Sequence, residues 1–305
     1  MQEVTGKVAV ITGGSSGIGR GIALAFARAG MKVAVTGRRP DHLEETVAIF
    51  AEHGLDVYPM QVDVTDLAAM RAAADEVEQR FGRIDVLVNN AGIGLSGAVV
   101  TATPSDWNWA IDVNIKGVAN GIQAFLPKIR SHGEGGHIVN TSSMAGLMPI
   151  VAGIYSMTKA AVIGLSEALH IELLSENIGV SAYCPGPVHS NIAAGTANRP
   201  SEYGASGYSP PNPARAAAAK LQPYMTAEEA GERVLNGVRR GDMFILTHPE
   251  FKAGVMDRHA TIEAAFPDEP LNDIRAKAIA FLLASPVYSP ENRLASPTPP
   301  ASLPA

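Results

Sequence analysis

The sequence predicts an α/β fold: one Rossmann-type, doubly wound parallel sheet of about seven strands with helices on both faces. Two observations predict it. Short apolar runs without polar alternation recur between segments of helical periodicity, as strands buried on both faces require. The first such run stops at a cluster of glycines that opens a helix. The 305 residues, 46% of them hydrophobic, suffice for one large core.

The strands are expected at residues 7–12 (KVAVIT), 32–36, 55–61, 84–89, 137–141 and 179–183, with a last one at 243–247. Between them residues 18–29, 41–53, 66–80, 104–131, 154–176 and 226–239 read as helices. Pro104 suits a first turn. Right-handed crossovers wind this series onto both faces of the sheet. The βα pattern breaks after Tyr183. Residues 185–223 are rich in Gly, Pro, Ser, Ala and Asn and too long for an ordinary connection, so 188–223 is expected to be a lid. Residues 1–284 are read as one cofactor-binding and catalytic domain. Residues 285–305, with six prolines, are read as a tail or as an arm on a neighbouring subunit.

A net charge of −6 gives no footprint for nucleic acid or anionic membrane. No apolar run approaches the ~20 residues of a membrane span, and the N-terminus lacks the pattern of a signal peptide. The single cysteine, Cys184, cannot form an internal disulfide, so a cytoplasmic setting is expected. No metal site is assigned.

Residues Thr12, Gly13, Gly14, Ser15, Ser16, Gly17, Ile18 and Gly19 follow the first strand and open a helix. Glycines admit a pyrophosphate close to the backbone, and a helix N-terminus offers unpaired N–H groups and the positive dipole end. A carboxylate that would bind a ribose 2′-hydroxyl is missing at the end of the second strand. Gly37 stands there, followed by Arg38 and Arg39, either of which can pair with a 2′-phosphate. The expected cofactor is therefore NADP(H). Asp63 and Val64, at the end of the third strand, would bracket the adenine; the alternative for Asp63 is a cap on the following helix.

Asn89, Asn90, Ala91 and Gly92 end the fourth strand. Asn140, Thr141, Ser142, Ser143, Met144, Ala145 and Gly146 end the fifth. Tyr155 and Lys159 are four apart and share a helix face. An ammonium beside a phenol favours the phenolate, so the pair can act as acid and base near neutrality. Asn114 lies inside a predicted helix, where asparagine is unfavourable, which points to a polar network or a local kink. Pro185, Gly186, Pro187, Val188, His189 and Ser190 follow the sixth strand; His189 reads as an exposed loop residue.

Together the motifs T-G-x-x-x-G-x-G, N-N-A-G, the serine before Gly146, Tyr-x-x-x-Lys and P-G-x-V-x-S resemble, in this order, those of the classical short-chain dehydrogenases/reductases, over roughly residues 5–247. The resemblance implies a tetrad of Asn114, Ser143, Tyr155 and Lys159, with Asn114 holding a water that serves the lysine. It implies dinucleotide contacts from Gly13, Ser15, Ser16, Gly17, Ile18, Gly19, Asp63, Val64, Asn90, Ala91, Gly92, Tyr155 and Lys159. Pro185, Gly186, Val188 and Ser190 would hold the carboxamide, with serine replacing the usual threonine. It also implies a homodimer or homotetramer paired through the helices at 104–131 and 154–176. The family spacing to the tyrosine fits Ser142, while the spacing to the glycine selects Ser143. Ser143 is favoured, with a shortened loop around residues 149–153.

The stretches 190–208 and 244–254 further resemble the lid and C-terminal region of the Cα-dehydrogenases of bacterial lignin aryl-ether breakdown. Those enzymes oxidise a benzylic secondary alcohol with NAD, and the chain departs from them at Gly37, Arg38 and Arg39. The expected activity is interconversion of a small-molecule secondary alcohol and a ketone, of bulky or aryl type. The alternatives are reduction of 3-oxoacyl thioesters or hydroxysteroids and, from another class, a non-catalytic NADP(H)-binding sensor.

Overall fold

The computed structural model describes residues 1–149, 152–192, 195, 198–209, 212–283, 285, 287 and 288. Seven parallel strands form one sheet in the order β3-β2-β1-β4-β5-β6-β7. They are β1 (Val8–Ile11), β2 (Lys32–Gly37), β3 (Tyr58–Gln61), β4 (Val86–Asn89), β5 (Gly136–Thr141), β6 (Ile178–Cys184) and β7 (Phe244–Leu246). β1 pairs with β2 on one side and β4 on the other, so the winding reverses beside β1. Ligands of open α/β sheets bind at that reversal, beyond the carboxyl ends of the strands.

Strand residues alternate between two cores. Val8 and Val10 of β1, with Leu87 of β4 and Ile138 of β5, face α3 (Leu67–Phe81), α5 (Gly117–Ser131) and α7 (Gly153–Leu173). Ala9 and Ile11, with Val86, Val88 and Val139, face α1 (Gly17–Arg28), α2 (Pro40–Glu52) and α9 (Ala227–Arg240). Both faces being covered, every residue of β1 and β4 is buried, which is why their sequences show no polar alternation.

The caps explain the helix starts. Asp66 caps α3 by accepting from Ala69 N, so the cap is Asp66 and not Asp63. Thr226 and Glu229 form a reciprocal capping box on α9. The expected single helix over residues 104–131 is instead α4 (Pro104–Ile111), a five-residue π-turn (Asp112–Lys116) and α5. The turn centres on Asn114, whose side chain bonds to backbone outside the helix; an inserted π-turn is a common way to turn such a side chain inward.

The lid region contains a 3₁₀ turn at Ser201–Tyr203 and α8 (Pro213–Lys220), with α6 (Met144–Leu147) preceding it in the chain. The expected lid residues 193, 194, 196, 197, 210 and 211, and most of the expected tail 285–305, lie outside the described residues. Among the described residues three α-helices follow β7 that no sequence pattern announces: α10 (Lys252–Glu263), α11 (Asp273–Ala278) and α12 (Ala280–Leu283). Among the described residues no helix is long and apolar enough to cross a membrane.

Candidate active site

Two motifs at the winding reversal are tied together by side chains. Thr12 Oγ1 accepts from Asn90 N at 3.0 Å and Ala91 N at 3.1 Å. The Asn90 amide donates back to Thr12 O at 3.0 Å and Gly13 O at 3.2 Å. Gly13 has φ +64°, and a Cβ there would stand 2.8 Å from Ala91 Cα. Only glycine meets both the left-handed backbone and the close approach. Gly17 opens α1, and the hydroxyl of its N-cap, Ser16, makes no capping bond, so the first N–H groups of α1 are left for an anion. Gly19 is buried, Ile18 half-buried, and Ser190 stands over Gly17. Ser15 is buried, its carbonyl accepting from Thr46. The cradle thus fits a dinucleotide pyrophosphate.

The two arginines diverge. Arg39 is exposed and ion-paired with Asp41, which holds the Asp41 carboxyl down at about 2. Arg38 donates through Nη2 to the carbonyl of Asn198 at 3.2 Å and lies 3.7 Å from Asp63 Oδ2. The other oxygen of Asp63 accepts from Thr65 N and Oγ1. Val64 is buried against Gly117, and its carbonyl accepts from Asn120.

At the carboxyl end of β5, the Ser143 side chain lies close enough to the Tyr155 phenol to lower its pKa. Ser143 is the N-cap of α6, its Oγ accepting from Ala145 N at 3.1 Å. Ser142 points the other way: buried, it donates to Lys159 O at 2.6 Å. The two candidate serines therefore have different surroundings, and Ser143 is the one beside the phenol. Residues 150 and 151 of the loop expected to be short lie outside the described residues.

Lys159 Nζ stands 5.6 Å from the Tyr155 ring centroid and donates to Thr141 O at 2.8 Å. Burial lowers the Lys159 ammonium to about 8. Burial also raises the Tyr155 phenol, which the nearby Ser143 side chain partly offsets. Here desolvation is the largest influence on the phenol, opposite in direction to the effect expected of the neighbouring ammonium.

Asn114 Oδ1 accepts from Ile93 N at 2.8 Å, while its Nδ2 donates to Ile93 O at 3.0 Å and Thr158 Oγ1 at 3.1 Å. Its amide thereby fixes the chain leaving Gly92. A Cβ on Gly92 would lie 3.2 Å from Asn114 Oδ1 and 3.4 Å from Lys159 Nζ, so a small residue is needed where these groups converge.

On the opposite side, Gly186 N donates to Thr247 Oγ1 at 3.0 Å, and Pro185 O accepts from Met144 N. Val188 is buried and pairs with Met225 in a short bridge. His189 is half-buried, not exposed as expected: its N–H donates to Met225 O and its ring packs 5.6 Å from that of Tyr224.

Sequence reasoning missed the roles of Thr12, Thr141, Thr158 and Thr247, which orient the motif residues. Thr12 and Thr158 lie within or beside the motifs, but only the fold reveals their partners. Among the described residues no group of His, Cys, Asp or Glu could hold a metal ion.

Known proteins share this sequence pattern and fold. A family model described as short chain dehydrogenase matches residues 7–200. A C alpha-dehydrogenase of Sphingobium sp. strain SYK-6 is 36% identical over 88% of this chain and 90% of its own length. A short-chain dehydrogenase/reductase of Burkholderia phymatum, solved in complex with NAD, superposes with a TM-score of 0.79 at 35% identity, covering 89% of this chain and all of its own. The apo form of LigO from Sphingobium sp. strain SYK-6 gives a TM-score of 0.75 at 36% identity over 93% of this chain and 98% of its own. Sequence, fold and the convergence of its motifs agree: the chain is an oxidoreductase of the short-chain dehydrogenase family.

Proposed function

We propose that the protein interconverts a secondary alcohol and a ketone, of bulky or aryl type, with NADP(H), and that Tyr155 is its acid and base. The observation that carries this reading is the Lys159 ammonium 5.6 Å from the centre of the Tyr155 ring, with Ser143 near the phenol and a glycine cradle alongside. When bound, the dinucleotide supplies or accepts the hydride.

The chain's own residues do the rest. In ketone reduction Tyr155 Oη gives its proton to the carbonyl oxygen, and Ser143 Oγ donates a hydrogen bond to that oxygen as charge grows on it. Lys159 stabilises the tyrosinate so formed, and Asn114 holds the Gly92 turn and α7 in register around it. Alcohol oxidation reverses the proton path. Gly13, Ser15, Ser16, Gly17, Ile18 and Gly19 would receive the pyrophosphate, Asp63 and Val64 the adenine side, and Pro185, Gly186, Val188 and Ser190 the carboxamide side.

Arg38, with no carboxylate at Gly37, supports NADP(H) over NAD(H); Arg39 is the weaker candidate because Asp41 holds it by two hydrogen bonds, whereas Asp63 stands 3.7 Å from Arg38. The resemblance to Cα-dehydrogenases supports an aryl substrate. The outward face of α7, with exposed Ala160, Ala161, Gly164, Ala168 and Ile171, supports pairing with a second copy through α5 and α7.

The test is a panel of aryl ketones, acetoacetyl thioesters and steroid ketones run with NADPH and NADH in parallel, together with Tyr155→Phe. The variant is expected to bind NADP(H) as wild type does and to lose turnover; near-wild-type turnover would refute the assignment of Tyr155.

A further inference from the structure

Asp106 sits in the first turn of α4 with a side chain wholly shielded from solvent. A carboxylate there must be fully compensated. Its Oδ2 accepts from Thr103 N, Thr103 Oγ1 and Gly207 N, each at 2.9 Å. Its Oδ1 accepts from Arg199 Nη1 at 2.6 Å and Ser206 Oγ at 2.7 Å. Burial alone would raise this carboxyl, but the bonds from Ser206, Thr103 and Gly207 outweigh it and hold the group well below the usual carboxylate range.

Capping does not demand this. The same capping box on α9 uses Glu229, which is exposed and bonded only to Thr226. What Asp106 adds is the segment 199–207, attached through three of its residues. Arg199 is equally committed: Nε donates to Gly204 O at 3.0 Å and Nη2 to Tyr203 O at 2.9 Å, and the guanidinium lies 5.2 Å from the Trp109 ring. Tyr203 reaches Asp112 Oδ2 at 3.0 Å, and the buried Tyr208 packs over Gly97, in the chain leading away from Gly92. Residues 198–208 thus form a strap fastened to α4 at its centre.

The strap's first residue, Asn198, presents its carbonyl to Arg38 Nη2, with Asp63 flanking Nη1. A guanidinium held at one end by a fixed carbonyl keeps its remaining donors for a second acceptor and loses less rotamer freedom when one arrives. We infer that Arg199 and Asp106 are positioning residues for the cofactor: their buried ion pair fixes the strap, and the strap, through the Asn198 carbonyl, orients Arg38 toward the 2′-phosphate. The inference rests on the reading of Arg38 as the 2′-phosphate partner.

Titration calorimetry of the full chain with NADP⁺ and with NAD⁺ tests it on wild type, Arg38→Gln, Arg199→Gln and Arg199→Lys. Wild type is expected to prefer NADP⁺, and Arg38→Gln to lose that preference; a wild type without preference refutes the reading of Arg38. Arg199→Gln is expected to weaken NADP⁺ about five-fold, the size of one lost hydrogen bond, with NAD⁺ nearly unchanged. Arg199→Lys, which retains a charge for Asp106, is expected to fall between. Trp107 and Trp109 are the only tryptophans, so in the cofactor-free protein Arg199→Gln is also expected to shift intrinsic emission as Trp109 loses its cation. Equal weakening of both dinucleotides, or none in a variant whose emission has shifted, overturns the positioning role. Unchanged emission overturns the strap contact itself.

Discussion

His137 is an acid-sensitive element that the fold has sealed inside the sheet. It lies in β5, is 1% exposed, and its Nε2 is 2.8 Å from Ser181 Oγ. The Ser181 hydroxyl donates to Asp242 O, so Ser181 is left to accept and the ring must present Nε2–H, the neutral tautomer with Nδ1 bare. Burial lowers this imidazole from 6.5 to about 3. The sign follows from proton counting. Between pH 6.5 and 3 the unfolded chain carries the proton and the folded chain does not, so acid favours unfolding throughout that window, at up to about 1.4 kcal/mol per pH unit. From pH 8 to pH 5 the loss is about 2 kcal/mol. The carboxylates held down at about 2, Asp41 and Glu134, lose their contribution mostly below pH 5, outside the two pH values compared here. Their stability is present above the ordinary carboxylate range and is lost progressively as pH falls from there toward 2. Urea unfolding of wild type and His137→Gln at pH 8 and pH 5 measures the effect. Glutamine cannot titrate, so the variant is expected to lose about 2 kcal/mol less than wild type between the two pH values, whatever its stability at pH 8. Equal losses would refute the reasoning.

Three further outcomes are expected. Asp85, with a side chain 1% exposed, accepts from Val8 N at 2.8 Å and from Arg83 Nε and Nη2 at 2.9 and 2.6 Å; Asp85→Ala should cost about 3–5 kcal/mol in denaturant unfolding by stranding these donors, and a loss below 1 kcal/mol would count against it. Ser143→Ala should lower kcat about 100-fold while Ser142→Ala keeps it within a few-fold and costs about 1 kcal/mol of stability; the reverse order would reassign the serine. Because Lys159 is lowered to about 8, ketone reduction should decline above pH 8 as the ammonium that stabilises the tyrosinate loses its proton, and a rate flat to pH 10 would show that Lys159 keeps its charge.

The glycine cradle, the N-N-A-G turn and the Tyr155–Lys159 pair were legible because each is a local device. A phosphate cradle is a strand, a turn and a helix start, and two side chains four apart share a helix face wherever the helix goes. The buried strands were legible for a related reason: with both faces of the sheet covered, their apolar runs are unbroken. What could not be read fails on the same ground. α10 has no buried residue, so no apolar stripe marks it. The π-turn exists because Asn114 meets Ile93, 21 residues earlier, and no periodicity records that partner. His137 reads as one more strand residue until Ser181 is beside it.

Asp106 and Arg199 are separated by 93 residues and carry no motif. This division has a chemical sense. Hydride and proton transfer need a few groups at fixed mutual distance, which local structure supplies. In the reading proposed above, Arg38 is supplied locally but its aim depends on a strap brought from elsewhere in the chain to stand against α4, and a buried ion pair suits that task because either partner alone is costly to bury. The charge on Arg199 thus makes the docked arrangement strongly preferred over an undocked one with Asp106 still buried, so the Asn198 carbonyl meets Arg38 in one geometry and not in several.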